Sequence, residues 1–229
     1  MVANTSFATT THHDMVRILL HETAHPVSPK RLKQMFELRH RVFKERLEWT
    51  VSSENGMERD CYDDMGPIYC LCEDDSGQII GCWRLLKTVT PYLLRDVFPQ
   101  LLGVHPPPAS PRVWEGSRFA YFPEKIERRA LGGVQEATSK MIAALLETGL
   151  RYDIERIIAV SELRFERVLK RSGLVTHRFG PPIQIGNTMA VAGWFDVTRE
   201  NLQRVRGNRR DRRRNTDAAS GPCRRLTPS

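Results

Sequence analysis

Six ionisable side chains lie where the chain reads as core or as a tightly specified loop. Arg39 interrupts the apolar face of the segment Lys30 to Leu47, between Phe36 and Phe43. Arg84 breaks the run Gly81-Cys82-Trp83-Arg84-Leu85-Leu86, and Glu115 and Arg118 break Trp114-Glu115-Gly116-Ser117-Arg118-Phe119. Asp60 and Asp63 belong to an acidic stretch between Glu48 and Pro67, which also holds Glu54, Glu58 and Asp64. Burying a charge is costly unless a partner and hydrogen bonds compensate. Three arginines against three carboxylates make a set that is neutral as a unit. Two readings are open: a structural network of ion pairs, or a site whose groups have shifted pKa values and do acid–base work.

Spacing shifts the balance toward a site. The order Arg39-x3-Phe43-x5-Trp49-x10-Asp60-x2-Asp63, then Arg84, Phe98 and Glu115-x2-Arg118, resembles the signature of the acyl-homoserine-lactone synthase family. The carrying pieces are RHRVFKERLEW, MERDCYD, GCWRLLK and WEGSRF, and the likeness runs from about Arg31 to Ala192. SELRFERVLKRSG and GPPIQIGNTMAVAG resemble the family's C-terminal half.

The resemblance implies an N-acetyltransferase-like fold, in which two neighbouring strands splay to admit a pantetheine arm. It also implies that S-adenosylmethionine and an acyl thioester are substrates, with no cofactor or metal. The amine attacks the thioester, and the methionyl carboxylate then closes on its own γ-carbon and releases methylthioadenosine. The attacking amine must lose a proton, which makes Glu115 the candidate general base. Arg118 beside it is expected to lower its pKa and keep it ionised. Trp49 suits a sulfonium or adenine, since a cation over an indole face is a favoured contact. Asp60 and Asp63 are expected to hold the acidic loop closed through Arg39 and Arg84, with Phe43 and Phe98 walling out water.

The resemblance implies an acyl carrier protein or coenzyme A as the acyl donor. Acetyltransferases bind pyrophosphate with a Q/R-x-x-G-x-G/A loop, and Arg129 to Val134 matches it only in part, with Val134 at the last position. Arg164, Arg167 and Arg171, with Lys170 beside them, form one basic stripe at helical spacing that suits an acidic carrier protein. A merely solvated face is the alternative. Ala159 falls where synthases selecting 3-oxo chains often carry a hydroxyl, which predicts an unsubstituted or otherwise non-oxo acyl chain.

The elements that position these residues alternate between strand and helix. Ser28-Pro29 starts a helix that runs to about Leu47. Ile68 to Glu73 and Gln78 to Lys87 form a hairpin. Thr90 to Leu102 reads as a helix capped by Thr90, Val113 to Phe122 as a strand, and Gly132-Gly133 precede a helix to about Leu150. Arg156 to Val160 is a strand, Glu162 to Arg171 a helix, and two strands follow near Leu174 to Phe179 and Thr188 to Val197. This predicts a three-layer αβα sandwich on a mixed sheet.

Residues 1–27 read as a poorly ordered leader, 28–198 as the synthase domain and 199–229 as a disordered basic tail. Of the formal charge of +8, ten arginines against three acids put +7 in that tail, so the body is nearly neutral. The Arg209 to Arg214 run suggests nucleic-acid binding as a competing function. No interleaved aromatic supports it, so a nucleic-acid partner is not expected. Another N-acyltransferase is the second competitor, one that leaves the acidic loop unexplained. With no membrane span and no secretory signal, the expected compartment is the cytoplasm. Cys70, Cys72 and Cys82 in apolar runs agree, reading as buried thiols rather than disulfide or metal partners.

Overall fold

Pro29 occupies the first turn of a helix, where a missing N–H costs nothing, and the chain then alternates between helix and strand as its hydrophobic periodicity demands. A computed structural model describes residues 16–122 and 131–208, with the backbone alone for 131–136. The order is β1 (Arg17–His21), α1 (Pro29–Arg39), a π-helical turn (His40–Arg46), a small hairpin of β2 (Ser53–Glu54) and β3 (Met57–Glu58), and a 3-10 turn (Cys61–Asp64). There follow β4 (Ile68–Glu73), β5 (Ile79–Lys87), α2 (Leu93–Asp96), a 3-10 turn (Pro99–Leu102), β6 (Val113–Tyr121) and α3 (Leu131–Arg151). Then come β7 (Arg156–Glu162), α4 (Leu163–Arg171), β8 (His177–Arg178), β9 (Ile183–Ile185) and β10 (Thr188–Asp196). A last helix, α5, covers 199–208.

The main sheet runs β1-β4-β5-β6-β7-β10-β8, with β9 on β10. All pairs are antiparallel except β6 with β7. One face carries α3, α4 and α5 over a core that includes Trp83, Met141, Leu145, Ile157 and Leu202. The other carries α1 over Met35, Leu38, Phe43, Leu71 and Ala120, and α2 over Ile158 and Ala192. This is the expected αβα sandwich.

Two features of β6 create an opening. It pairs with β7 only at Val113↔Arg156, Trp114↔Ile157 and Glu115↔Ile158, after which the two strands part. Its register with β5 also slips, since Cys82 faces Ala120 but Arg84 faces Ser117. Arg118, at φ 56°, takes up the extra residue. A non-glycine residue in the left-handed region costs of order 1 kcal/mol or more and points to a functional constraint.

Four boundaries differ from expectation. Residues 17–21 are not leader: they form an edge strand on β4, because Ile18 and Leu20 find apolar cover against the core. Residues 199–208 are not a loose tail, because Leu202 and Val205 bury one face of α5. Thr90 caps nothing; its hydroxyl donates to the Lys87 carbonyl, and the predicted helix is two short turns. Gly132 and Gly133 lie inside the first turn of α3. Residues 1–15, Arg129 and the Arg209 to Arg214 run fall outside the described residues. No helix among the described residues is long and apolar enough to cross a membrane. Cys70, Cys72 and Cys82 are free and buried, whereas Cys61 is exposed.

Candidate active site

Arg39 ends α1 with its guanidinium fully buried. Its Nε donates to Glu58 Oε2 at 2.5 Å, and its terminal nitrogens donate to both Asp63 oxygens at 2.8 and 2.9 Å. Arg84, from β5, grips Asp60 in the same two-pronged way at 2.5 and 3.1 Å. It also reaches Asp63 Oδ1 at 2.8 Å and Ser117 Oγ at 3.1 Å. Arg118, swung out of the strand by its positive φ, donates to Glu58 at 3.1 Å and pairs with Asp60 at 2.7 Å. Tyr69 on β4 donates its hydroxyl to Asp63 at 2.6 Å.

Local sequence aims these carboxylates. Asp60 accepts from the Tyr62 amide at 3.0 Å and Asp63 accepts from the Asp60 amide at 2.9 Å, a reciprocal cap that fixes the 3-10 turn. Burial alone would raise the Asp63 carboxyl. The Arg39 hydrogen bonds and the Arg39 and Arg84 charges outweigh it and hold the group well below the usual carboxylate range.

Glu115 stands apart from this network. Its oxygens accept from the Leu93 and Leu94 amides at 3.0 and 2.6 Å, at the N-terminus of α2. It is 1% exposed, and burial pushes its pKa up to about 7 against the opposing pull of the two amides and of Arg84 and Arg118. The expectation that Arg118 holds Glu115 at low pKa is therefore corrected. Desolvation wins, and Arg118 spends its hydrogen bonds on Glu58 and Asp60. A carboxylate near 7 is well matched to proton abstraction at neutral pH.

Phe43 stacks on Trp49, with centroids 5.3 Å apart and planes 24° from parallel, and the Arg118 guanidinium lies 5.5 Å above the Phe43 ring. The π-helical turn makes this possible. The Leu47 amide donates to the Val42 carbonyl, five residues back, and the Trp49 amide to Phe43. Phe98 is half-buried on the segment after α2, packed against the apolar cluster that includes Leu101 and also Ile158 of β7. Phe43 with Trp49 packs on the α1 side, and Phe98 lies with β7.

Thus Arg39, Asp60, Asp63, Arg84 and Arg118 converge as the sequence predicts, but the third carboxylate is Glu58 and not Glu115. Glu58, Tyr69 and Ser117 were missed. The sole signal for Glu58 was its membership of the acidic stretch, which it shares with exposed Asp64. Arg164, Arg167, Lys170 and Arg171 are all exposed on α4, although Lys170 leans back to Glu166 at 3.1 Å. Ala159 lines a narrow pocket beneath α4, and Ser161 lines it too, so a hydroxyl is present two residues along the same strand face. Among the described residues no group of three His, Cys, Asp or Glu side chains is placed to hold a metal ion.

The model of the autoinducer synthase family matches residues 24–205. An acyl-homoserine-lactone synthase from Rhizobium radiobacter is 40% identical over 174 residues, covering 76% of this chain and 82% of its own. The solved structure of the AHL synthase LasI aligns with a TM-score of 0.76 at 34% identity, over 85% of this chain and 96% of LasI. BjaI, a CoA-dependent acyl-homoserine lactone synthase solved with SAM and isopentyl-CoA, aligns with a TM-score of 0.73 at 28% identity, over 85% and 89%. This chain belongs to the autoinducer synthase family, as an acyl-homoserine-lactone synthase.

Proposed function

We propose that the enzyme takes its acyl group from an acyl carrier protein and uses Glu115 to deprotonate the amine of S-adenosylmethionine. The buried carboxylate with a pKa of about 7, at the point where β6 and β7 part, is the observation that carries the role of Glu115, and the exposed basic face of α4 supports the donor. Glu115 accepts a proton from the ammonium, directly or through one water, and the nitrogen lone pair attacks the thioester carbonyl. The C–N bond forms and the C–S bond breaks; the attacking nitrogen gives its second surplus proton to the departing thiolate, while the first passes from Glu115 to solvent. A carboxylate oxygen of the acylated substrate then attacks its own γ-carbon. That carbon's bond to the sulfonium breaks, the sulfur keeps the electron pair, and neutral methylthioadenosine departs with the lactone left behind.

The network does not touch Glu115 but fixes the walls around it. Asp60 and Asp63 clamp the acidic turn to α1, β5 and β6, and Trp49 stacked on Phe43 offers an aromatic face to the sulfonium or adenine. Phe43 and Phe98 exclude water that would hydrolyse the thioester. On α4 the exposed Arg164, Arg167, Lys170 and Arg171 meet the acidic surface of the carrier. Such a donor places the reaction in the cytoplasm, where the diffusible product serves as a quorum-sensing signal. Acyl-coenzyme A is the second reading, favoured by the likeness to BjaI.

The test compares one acyl group on carrier protein and on coenzyme A, reading lactone by mass spectrometry and methylthioadenosine release. Charge reversal at Arg164 and Arg167 is expected to raise KM for the carrier thioester about tenfold and leave coenzyme A unaffected. Faster turnover of the coenzyme A thioester by the unaltered enzyme would overturn the donor assignment.

A further inference from the structure

Beyond Glu115 the β6–β7 opening has two unlike sides. Toward α1 stand the ionised groups. Toward α4 three aromatic rings meet: Trp83 from β5, Phe119 from β6 and Phe165 from α4. Their centroids are 4.9 Å apart for Trp83 and Phe119, 4.4 Å for Phe119 and Phe165, and 6.0 Å for Trp83 and Phe165. Trp83 is buried, whereas Phe119 and Phe165 are half-buried and so still present surface. Gly116 lets Trp83 lie across β6, since a Cβ there would come within 2.9 Å of its Nε1.

One turn beyond Phe165 on α4, Leu169 roofs the narrow pocket that Ala159, Ser161 and Thr176 also line. The Thr176 hydroxyl oxygen is buried with no hydrogen-bond partner. Phe165 and Leu169 are four residues apart and share one face of α4, with Phe165 in the aromatic cluster and Leu169 one turn on in the pocket lining.

We propose that Phe165 is the stop that sets acyl chain length, closing the passage from the β6–β7 opening to the pocket beneath α4. The inference rests on the reading above, with the thioester carbonyl beside Glu115. An apolar chain starting there leaves the ionised side and lies against the aromatic one, because that is where apolar surface is removed from water. The first methylenes pack on Phe119 and Trp83, and the chain then meets the Phe165 ring. The enzyme therefore prefers a short acyl group such as hexanoyl to a long one such as dodecanoyl. Phe165 acts here as a specificity residue and takes no part in the bond-making steps.

The experiment measures kcat/KM for hexanoyl and dodecanoyl thioesters with the unaltered enzyme, Phe165→Leu and Phe165→Ala. The donor is whichever of carrier protein and coenzyme A the unaltered enzyme turns over, so a failed donor assignment is seen separately. Lactone mass and methylthioadenosine release are both read. The dodecanoyl-to-hexanoyl ratio is expected to rise at least about tenfold in both variants, the order of discrimination an apolar pocket gives for small changes in fit. KM for S-adenosylmethionine should not move. Phe165→Leu keeps apolar volume in α4, so it guards against simple misfolding. An unchanged ratio in Phe165→Leu with hexanoyl turnover retained, or a dodecanoyl preference in the unaltered enzyme, would overturn the proposal.

Discussion

Glu115 has two duties. It satisfies the first amides of α2, and, buried with a pKa of about 7, it is half-ready to take a proton at neutral pH. Because its folded pKa lies above the ordinary 4.5, its contribution to stability is greatest below that value and declines as pH rises through about 7. Its activity as a base has the opposite dependence: acyl transfer should climb with pH through about 7. Glu115→Gln is expected to lower kcat by about 10²–10³-fold. The same substitution should erase the inflection near 7 in the pH–rate profile. A residue that only capped α2 would lower Tm and leave the inflection in place. Some of this is legible in sequence. Arg39 and Arg84 announce themselves as charges set among apolar neighbours. Glu58 does not, because its burial comes from Arg39 and Arg118, which reach it from 19 and 60 residues away. The sequence also misjudges the Glu115 pKa, since spacing shows a nearby Arg118 but not that the arginine is already engaged.

The unit that matters at the next scale is the clasp of α1, the π-helical turn and the acidic turn upon β5 and β6. Its charges are almost fully buried, so removing one partner leaves another uncompensated, at a cost of about 3–5 kcal/mol. Arg39→Ala is therefore expected to lower Tm by roughly 10 °C, given about 2–4 °C per kcal/mol for a chain of this size. Asp63→Asn should act in the same direction and raise KM for S-adenosylmethionine as the turn loosens. The Asp63 pKa is held below its ordinary 3.8, so its stabilisation is present above that pH and is lost as pH falls below it. Melting curves should therefore show the gap between the unaltered protein and Asp63→Asn closing on acidification. A gap that stays constant into strong acid would remove Asp63 from this role. The hairpin of β4 and β5 and the amphipathic α4 were readable from periodicity alone. The π-helical turn was not, because its apolar spacing differs little from that of an α-helix and only the tertiary position of Phe43 requires the extra residue. The Arg118 slip in β6 was equally hidden, since nothing about an arginine signals a left-handed backbone.

At the scale of the whole molecule, both ends of the described chain are tied into the sheet and its helical layer. β1 makes five register pairs with β4, and its Arg17 joins Arg31 in holding buried Glu73. At the other end the Asn201 side chain donates to the Asp196 carbonyl at 2.7 Å and anchors α5 to the end of β10. Composition concealed both. A five-residue strand opening on arginine looks like a leader, and α5 carries arginines and asparagine around only two buried apolar residues, Leu202 and Val205. Charge belongs to the solvent face of this helix and says nothing against a packed inner one. A cut after Thr198 would strip Leu202 and Val205 from a core shared with Leu146, Leu169 and Leu174. Losing one such side chain costs about 2–5 kcal/mol, and losing two with their backbone takes most of the 5–15 kcal/mol of a typical domain. That truncation is expected to yield little folded enzyme, with Leu202→Ala showing a graded version of the same loss. A cut after Asn208 keeps α5 whole and should leave lactone synthesis and Tm near those of the full chain. Equal melting of the two truncated proteins would show that α5 contributes nothing to the core, and loss of turnover in the longer one with its Tm unchanged would give the Arg-rich segment a part in catalysis that its charge alone does not predict.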